Sequence, residues 1–378
     1  MTDFQAAYDF LCESDRLKSV DRASVLMDLS RAENSAEHSW HVALFALVFG
    51  ASDRAIQMIL LHDLVEIDCG DHPIHLDHDQ SAIQAAELAA ARRLFAMITH
   101  GAAFMQLWQE FEAAQTPDAQ FAKRMDHVQP LFQVLLADEP LPLHVQICRD
   151  NMTKGRAMRL RDEWPEAIAA AEGLMAGRQP QGDLGARLGF LAMADRLKAV
   201  LRAGRIHSGR RENTAEHSWH LALYAMVLAP LAGPNVEIGR VIRMLILHDV
   251  IEIDTGDVPI HSGNGQTHHS QSQMQAELAA AQRIFGLLPK KQGKELLALW
   301  LEFEANETPS AIFANSLDRA QPVFLNIAAS GGTWIDYEVT YAQLVDRVGA
   351  KIARGLPDLW DWLSERARPL LVEDRATR

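Results

Sequence analysis

The chain of 378 residues is 48% hydrophobic and 23% charged, an ordinary globular balance. At roughly 100–200 residues per domain, the length predicts two domains, residues 1–180 and 181–378, each able to bury a core. Thirty-six Lys and Arg against 50 Asp and Glu leave a formal net charge of −14, which argues against a nucleic-acid polymer as partner but not against a small anion held at a local positive site. Three cysteines (Cys12, Cys69, Cys148) form no CxxC pair, the first twelve residues hold no apolar signal core, and no stretch approaches the roughly 18 apolar residues of a membrane span. The expectation is a cytoplasmic protein with no membrane partner.

In chain order, one unit is written twice. Arg16-Leu-Lys-Ser-Val-Asp-Arg22 returns as Arg196-Leu-Lys-Ala-Val-Leu-Arg202, and Glu33-Asn-Ser-Ala-Glu-His-Ser-Trp-His41 as Glu212-Asn-Thr-Ala-Glu-His-Ser-Trp-His220. His62-Asp-Leu-Val-Glu-Ile-Asp-Cys-Gly-Asp71 returns as His248-Asp-Val-Ile-Glu-Ile-Asp-Thr-Gly-Asp257, and Asp126-His-Val-Gln-Pro130 as Asp318-Arg-Ala-Gln-Pro322. The offset changes only between these blocks, as loop insertions would make it do. The seam lies near Gly177–Asp183, a polar Pro/Gly stretch suited to linking domains. Helical spacing of apolar residues, clearest over 81–98 and 271–288, together with the lack of any convincing strand, predicts an all-α fold of two tandem helical bundles, about five or six helices each. Breaks fall at Gly70, Pro73, Pro117, Gly256, Pro259 and Pro309.

Histidine and carboxylate recur at repeated positions: His38, His62, Asp63 and Asp126, then His217, His248, Asp249 and Asp318. Imidazole nitrogen with carboxylate oxygen suits Mn, Fe, Co, Ni or Zn without choosing among them. The His-Asp pair ends the apolar run 56–65, and a charged Asp on a buried helix needs a partner that a cation supplies. A buried His–Asp hydrogen bond explains one pair alone; the four-residue set, held twice, points to metal. Glu66 and Glu252, four residues after the His, share its helical face and read either as proton-transfer groups or as helix-terminal acids. Asp71 and Asp257, in Gly-Asp-x-Pro, read first as turn residues. Arg22 and Arg202 are suited to clamping a phosphate, yet by themselves read as surface charge. His75 and His261 are candidates for extra ligands; His72, His78, His268 and His269 share no register. His41 and His220 lie nearly on the ligand face, and Trp40, Trp219, Trp108 and Trp300 read as packing.

The ordered set of Arg-Leu-Lys-x-Val-x-Arg, Glu-Asn-x-Ala-Glu-His-Ser, His-Asp-x-x-Glu-x-x-x-Gly-Asp-x-Pro and a late Asp resembles the HD superfamily of metal-dependent phosphohydrolases. Within it, each copy is similar to the bacterial 5′-deoxynucleotidases and their eukaryotic HD-domain relatives. The resemblance implies one divalent ion (Mn, Co, Fe, Ni, Zn or Mg) per copy, on His38, His62, Asp63 and Asp126 and on His217, His248, Asp249 and Asp318. It also implies Glu66 and Glu252 as catalytic acids, Asp71 and Asp257 as groups orienting water or the leaving group, and Arg22 and Arg202 as phosphate ligands. Ala23 and Ala203 depart from that pattern: the deoxynucleotidases carry there a Trp that helps select deoxyribose. Because such proteins commonly work as homodimers, the two halves are expected to form an intramolecular pseudo-dimer.

The function this implies is metal-dependent hydrolysis of a small phosphomonoester, most plausibly a nucleoside 5′-monophosphate. Rival readings are an HD-type di-iron oxygenase using the additional histidines, a non-catalytic nucleotide-sensing tandem protein with structural metal, and an alarmone hydrolase.

Overall fold

Short polar residues mark where helices begin. Asp3, Asn34, Ser52, Asp79 and Thr116 each accept a hydrogen bond from a backbone N–H of the turn they precede, satisfying donors that a helix start leaves open. In the computed structural model, which describes residues 3–73, 75–76, 78–258 and 271–372, the first half runs α1 (Phe4–Ser14), β1 (Asp21–Val25), β2 (Ala32–Asn34), α2 (Ser35–Val48), α3 (Asp53–His62), α4 (Gln80–Phe95), α5 (Gly101–Ala113), α6 (Pro117–Leu135), α7 (Pro142–Lys154) and α8 (Pro165–Met175). The second half repeats the order as α9 (Gly182–Asp195), β3 (Leu201–Arg205), β4 (Arg211–Asn213), α10 (Thr214–Val227), α11 (Ile238–Leu247), α12 (Gln271–Phe285), α13 (Lys290–Ala305), α14 (Pro309–Ala328) and, after short turns, α15 (Pro357–Ala367). None of the described helices is long and apolar enough to cross a membrane.

The all-α architecture stands, with two corrections: the described residues form eight labelled helices in the first half and seven in the second rather than five or six, and β1 pairs with β2, and β3 with β4, as small antiparallel hairpins. Asp21-Arg-Ala-Ser-Val25 and Ala32-Glu-Asn34 show no apolar alternation, so nothing in their pattern announces a strand. The hairpin is held instead from outside, as where Gln133 on α6 donates to the Val25 carbonyl at 3.0 Å. Its use is positional, since β1 carries Arg22 and β3 carries Arg202.

Helices α2 and α10 sit at the centre because their sequences permit nothing else. Every residue of Ser35–Val48 and of Thr214–Val227 is buried, as expected of helices with no continuous polar face. They meet across the join of the halves. Asn34 Nδ2 donates to Glu216 at 2.9 Å and Asn213 Nδ2 to Glu37 at 2.6 Å; Trp40 Nε1 donates to the Ile246 carbonyl at 3.1 Å and Trp219 Nε1 to that of Leu60 at 3.2 Å. Each contact recurs with the halves exchanged, the pattern of an isologous interface. The apolar core consequently runs unbroken through both halves rather than forming two separate cores.

Such an interface should survive loss of the covalent link. A protease site placed in the exposed stretch 176–179 is expected, once cut, to leave two fragments that co-migrate on size exclusion without denaturant. Separate elution of the fragments would show that the linker, not the interface, holds the halves together.

Candidate metal centre

Three elements converge on one point in each half. Helix α2 delivers His38 one turn from its capped start, α3 ends on His62, and the chain then tightens to a single 3₁₀ turn (Asp63–Val65) that turns Asp63 toward the same point. Asp126 comes from α6, four residues before Pro130; the proline nitrogen has no hydrogen to give the Asp126 carbonyl, which loosens the helix there. Asp126 Oδ1 lies 3.2 Å from His38 Nε2 and 3.5 Å from His62 Nε2, while Asp63 lies 3.8 and 3.0 Å from the same two nitrogens. In the second half Asp318 is 3.3 and 3.9 Å from His217 and His248, and Asp249 is 3.9 and 3.0 Å from them. All eight residues expected as ligands are therefore gathered, four to each half.

Hydrogen bonding shows what the cluster lacks. The Ile59 carbonyl, 2.6 Å from His62 Nδ1, can only accept, so Nδ1 carries the ring hydrogen and Nε2 presents a lone pair. That lone pair faces two carboxylates and makes no hydrogen bond. His248 repeats the arrangement, its Nδ1 donating to the Leu245 carbonyl at 2.8 Å. Acceptors turned toward acceptors in a buried place require a cation among them, and separations of 3.0–3.9 Å suit donors bound at ~2.1 Å to a shared centre. Without metal, a proton takes that place: burial resists it, yet Asp63 and Asp126 raise the His62 imidazole to about 9. Burial also opposes ionisation of Asp126, but the hydrogen bond from His38 and the charge of a protonated His62 hold its carboxyl well below the usual range. Two nitrogens and two oxygens make a donor set for a borderline divalent ion.

Arg22 is not surface charge. Its side chain keeps only 16% exposure, and Nη1 lies 3.0 Å from Asp63, 3.5 Å from Glu66 and 3.6 Å from Asp71. Arg202 repeats this at 2.8, 3.8 and 3.5 Å from Asp249, Glu252 and Asp257. The loop acids Asp71 and Asp257 thus serve more than a turn. They are brought there by Gly70 and Gly256, whose φ values of +73° and +70° belong to a region side chains rarely adopt. Glu66 accepts from the Ser35 hydroxyl, and burial plus the Asp63 and Asp71 carboxylates push it up to about 8 against the pull of Arg22. Glu252, bonded to Thr214 at 2.8 Å, is raised in the same way. Ser35 and Thr214 went unnoticed in the sequence; their signal was one hydroxyl at one repeated register beside the capping Asn.

A second pair of clusters lies behind the histidines. Lys18 is fully buried, with Nζ 2.6 Å from Asp15, 2.7 Å from Glu212 and 2.9 Å from His220 Nδ1. Lys198 mirrors it with Asp195 at 2.5 Å, Glu33 at 2.6 Å and His41 Nδ1 at 3.0 Å. The far oxygen of Glu212 is 3.3 Å from His217 Nδ1, and that of Glu33 3.8 Å from His38 Nδ1. A lysine from one half therefore holds the carboxylate behind a metal-facing histidine of the other. His41 and His220 belong to these lysine clusters, beyond reach of the metal point. Burial and the adjacent lysines push both imidazoles down to about 3, so that they accept from the ammonium.

Each centre opens into a cavity, about 760 Å³ in the first half and 210 Å³ in the second. His72 and His75 line the first without joining its four donors, and His78 bonds the Pro73 carbonyl. His261, His268 and His269 lie outside the described residues. Trp40 and Trp219 pack between the halves as expected, Trp300 Nε1 donates to the His248 carbonyl at 2.9 Å, and Trp108 lines the larger cavity.

The sequence model of the HD domain matches residues 14–168 and again 194–360. A 5′-deoxynucleotidase of Schizosaccharomyces pombe is 25% identical over 136 residues, 35% of this chain and 67% of its own length. The human 5′-deoxynucleotidase HDDC2 is 30% identical over 139 residues, 36% of this chain and 64% of its own. The 5′-deoxynucleotidase YfbR of Escherichia coli is 30% identical over 106 residues, 27% and 53% of the two chains. This chain thus spans between about half and two thirds of these relatives' lengths. Among solved structures, a predicted metal-dependent phosphohydrolase from Magnetospirillum magnetotacticum is 43% identical, covering 51% of this chain and all of its own, with a TM-score of 0.46.

Removing the Lys18 ammonium strands two buried carboxylates. Lys18→Met is expected to cost about 3–5 kcal/mol of stability, seen as a lowered thermal midpoint. Adding Glu212→Gln should return part of the loss; no recovery in the double variant would show that the lysine acts elsewhere.

Proposed function

Starting from the membership of this chain in the HD domain family, twice over, we propose that it is a divalent-metal-dependent phosphomonoesterase acting on nucleoside 5′-monophosphates, with one ion in each copy. The observation that carries the reading is the meeting, in both halves, of two imidazole nitrogens and two carboxylates with an arginine and a buried glutamate at the mouth of a cavity. His38, His62, Asp63 and Asp126 would hold one ion, and His217, His248, Asp249 and Asp318 the other. Bound there, a divalent ion supplies Lewis acidity toward a phosphate oxygen and lowers the pKa of water. The 5′-deoxynucleotidase relatives support the substrate class, and the fit of the donor set supports the metal.

The chain's own residues complete the chemistry. Arg22, now shared among three carboxylates, turns its fork to the phosphate, a bidentate partner of matching shape. Asp71, 3.6 Å from the Nη1 that also faces Asp63 and Glu66, keeps the guanidinium in place. Glu66 carries a proton at neutral pH and gives it to the departing 5′ oxygen. The phosphorus–oxygen ester bond breaks, the water oxygen bonds phosphorus, and the proton that water gives up restores Glu66, leaving a nucleoside and inorganic phosphate. Arg202, Asp257 and Glu252 stand ready for the same parts in the second copy. Ala23 and Ala203 line the two cavities and supply no aromatic face against the sugar.

Single-site variants test the assignment. Asp63→Ala should halve the bound metal and leave phosphate release to the second copy alone; Asp249→Ala should do the reverse, and the double variant should bind no metal and release no phosphate. Activity persisting in the double variant, with nucleoside monophosphates as substrates and chelator as control, would reject the proposal.

Glu66 gives a pH signature. Its folded pKa is raised, so the donating form is present below about 8 and is lost as pH rises through that value. In the Asp249→Ala background, kcat should therefore fall on the alkaline side, and Glu66→Gln should lower kcat by roughly 100-fold while flattening that limb. An unchanged alkaline limb in Glu66→Gln would remove Glu66 from the proton path.

A further inference from the structure

The two cavities differ far more than the metal-facing residues do. At about 760 Å³ the first falls within the ~300–1,000 Å³ of sites that enclose a small molecule, whereas the second, at about 210 Å³, falls below it. Part of the difference lies beyond Pro130 and Pro322, where the repeat's sequence match ends.

In the first half, Gly155 stops α7 and the chain makes a short 3₁₀ turn, Arg156–Arg159, on the cavity wall. Both arginines are exposed, and among the described residues neither takes part in an ion pair or hydrogen bond. They differ in this from Lys123 on the same wall, which is tied to Glu112 at 2.8 Å and lies over the Phe111 ring at 3.9 Å. Glu87 is the other acid nearby. Arg156, Arg159 and Lys123 all lie close enough to act on His127, the neighbour of Asp126. Two unpaired guanidinium groups on the wall of a cavity that also holds Arg22 and the metal-facing residues make a place for an anion away from the reacting phosphate.

The second half has no unpaired guanidinium pair at this place: Arg319 lines its cavity but sits 3.7 Å from Asp318, and Arg205 reaches Asp336 at 3.4 Å. Val348 stands at the register of Arg156 and is buried; with Leu344 and the buried Trp334 it forms an apolar wall, and Asn315 replaces Lys123. Lys351, at the register of Arg159, does not line the cavity.

We propose that Arg156 and Arg159 form a second anion subsite, so that the first copy acts on a nucleotide bearing a phosphate group in addition to the one it hydrolyses, while the second copy takes a substrate with a single phosphate. The assignment rests on the phosphohydrolase reading above and names the substrate class of its first site.

The test compares a nucleoside 3′,5′-bisphosphate with the 5′-monophosphate in Asp249→Ala protein, where only the first copy turns over. The ratio of kcat/KM for bisphosphate over monophosphate should be about tenfold or more and should collapse toward one in Arg156→Ala/Arg159→Ala. Asp63→Ala protein, left with the second copy, should show no such preference. Equal kcat/KM for the two substrates, or a preference that survives loss of both arginines, overturns the subsite and leaves the hydrolase reading intact. Absence of phosphate release from either substrate defeats the hydrolase reading instead. Calorimetric binding to metal-loaded protein then decides the subsite: bisphosphate bound about tenfold tighter than by the double-arginine variant supports it, and equal affinities overturn it. Both arginines are exposed, so their removal leaves the core untouched.

Discussion

Two ammonium groups, Lys18 and Lys198, are withdrawn completely from water at the join of the halves. Burying an ion costs several kcal/mol unless its partners are complete, and here the partners are divided between the copies: Asp15 comes from the lysine's own half, Glu212 and His220 from the other. Neither half can solvate its lysine this way alone. Asp15 also accepts from the His207 backbone at 2.7 Å and Asp195 from that of Met27 at 2.9 Å, so the same carboxylates anchor the opposite half's loop beyond its first strand. The apolar core can be continuous because its few buried charges are neutralised pairwise across the join.

The metal point inherits its order from this arrangement. An imidazole facing a metal is held by what its other nitrogen meets. His62 and His248 meet a carbonyl of their own helix, but His38 and His217 face Glu33 and Glu212, the carboxylates gripped by the opposite lysines. The centre of each copy is therefore backed from the other copy. A chain of net charge −14 with Asp63, Glu66, Asp71 and Asp126 around one point repels an anionic ester until a cation offsets the carboxylates. For the proposed substrate, a bound cation together with Arg22 would offset those carboxylates.

How much of this could be read beforehand follows from distance along the chain. The helical spacing over 81–98 and 271–288 and the repeated His, His-Asp and Asp are local or periodic signals, and helices stand at Gln80–Phe95 and Gln271–Phe285 while the repeated residues meet in each half; the caps at Asn34 and Asn213 are equally local and went unread. Arg22 misled because its three acidic partners lie 41 to 49 positions later, invisible to any window. Lys18 was legible only as part of Arg-Leu-Lys; nothing local says that its carboxylate is Glu212. His41 sits three residues past His38, which suggested a shared face, yet a position at i+3 is rotated far enough for the ring to reach Lys198 instead. The hairpins escaped because polar strands pinned by a neighbouring helix carry no alternation.

Divergence of the cavities follows from the same duplication. In a homodimer any substitution appears in both sites at once, so a wall suited to one ligand is imposed on both. Once the halves share a chain, the residues of the interface remain constrained, because each contact serves both copies, while walls such as Arg156–Arg159 and Val348 touch one cavity only. The distribution of matched blocks has that form: identity is dense through the lysine, capping and His-Asp segments that build the join and the metal points, and fades after Pro130 and Pro322, where side chains face a single ligand space. Two sites alike in their metal-facing groups and unlike in their walls are what such a constraint leaves.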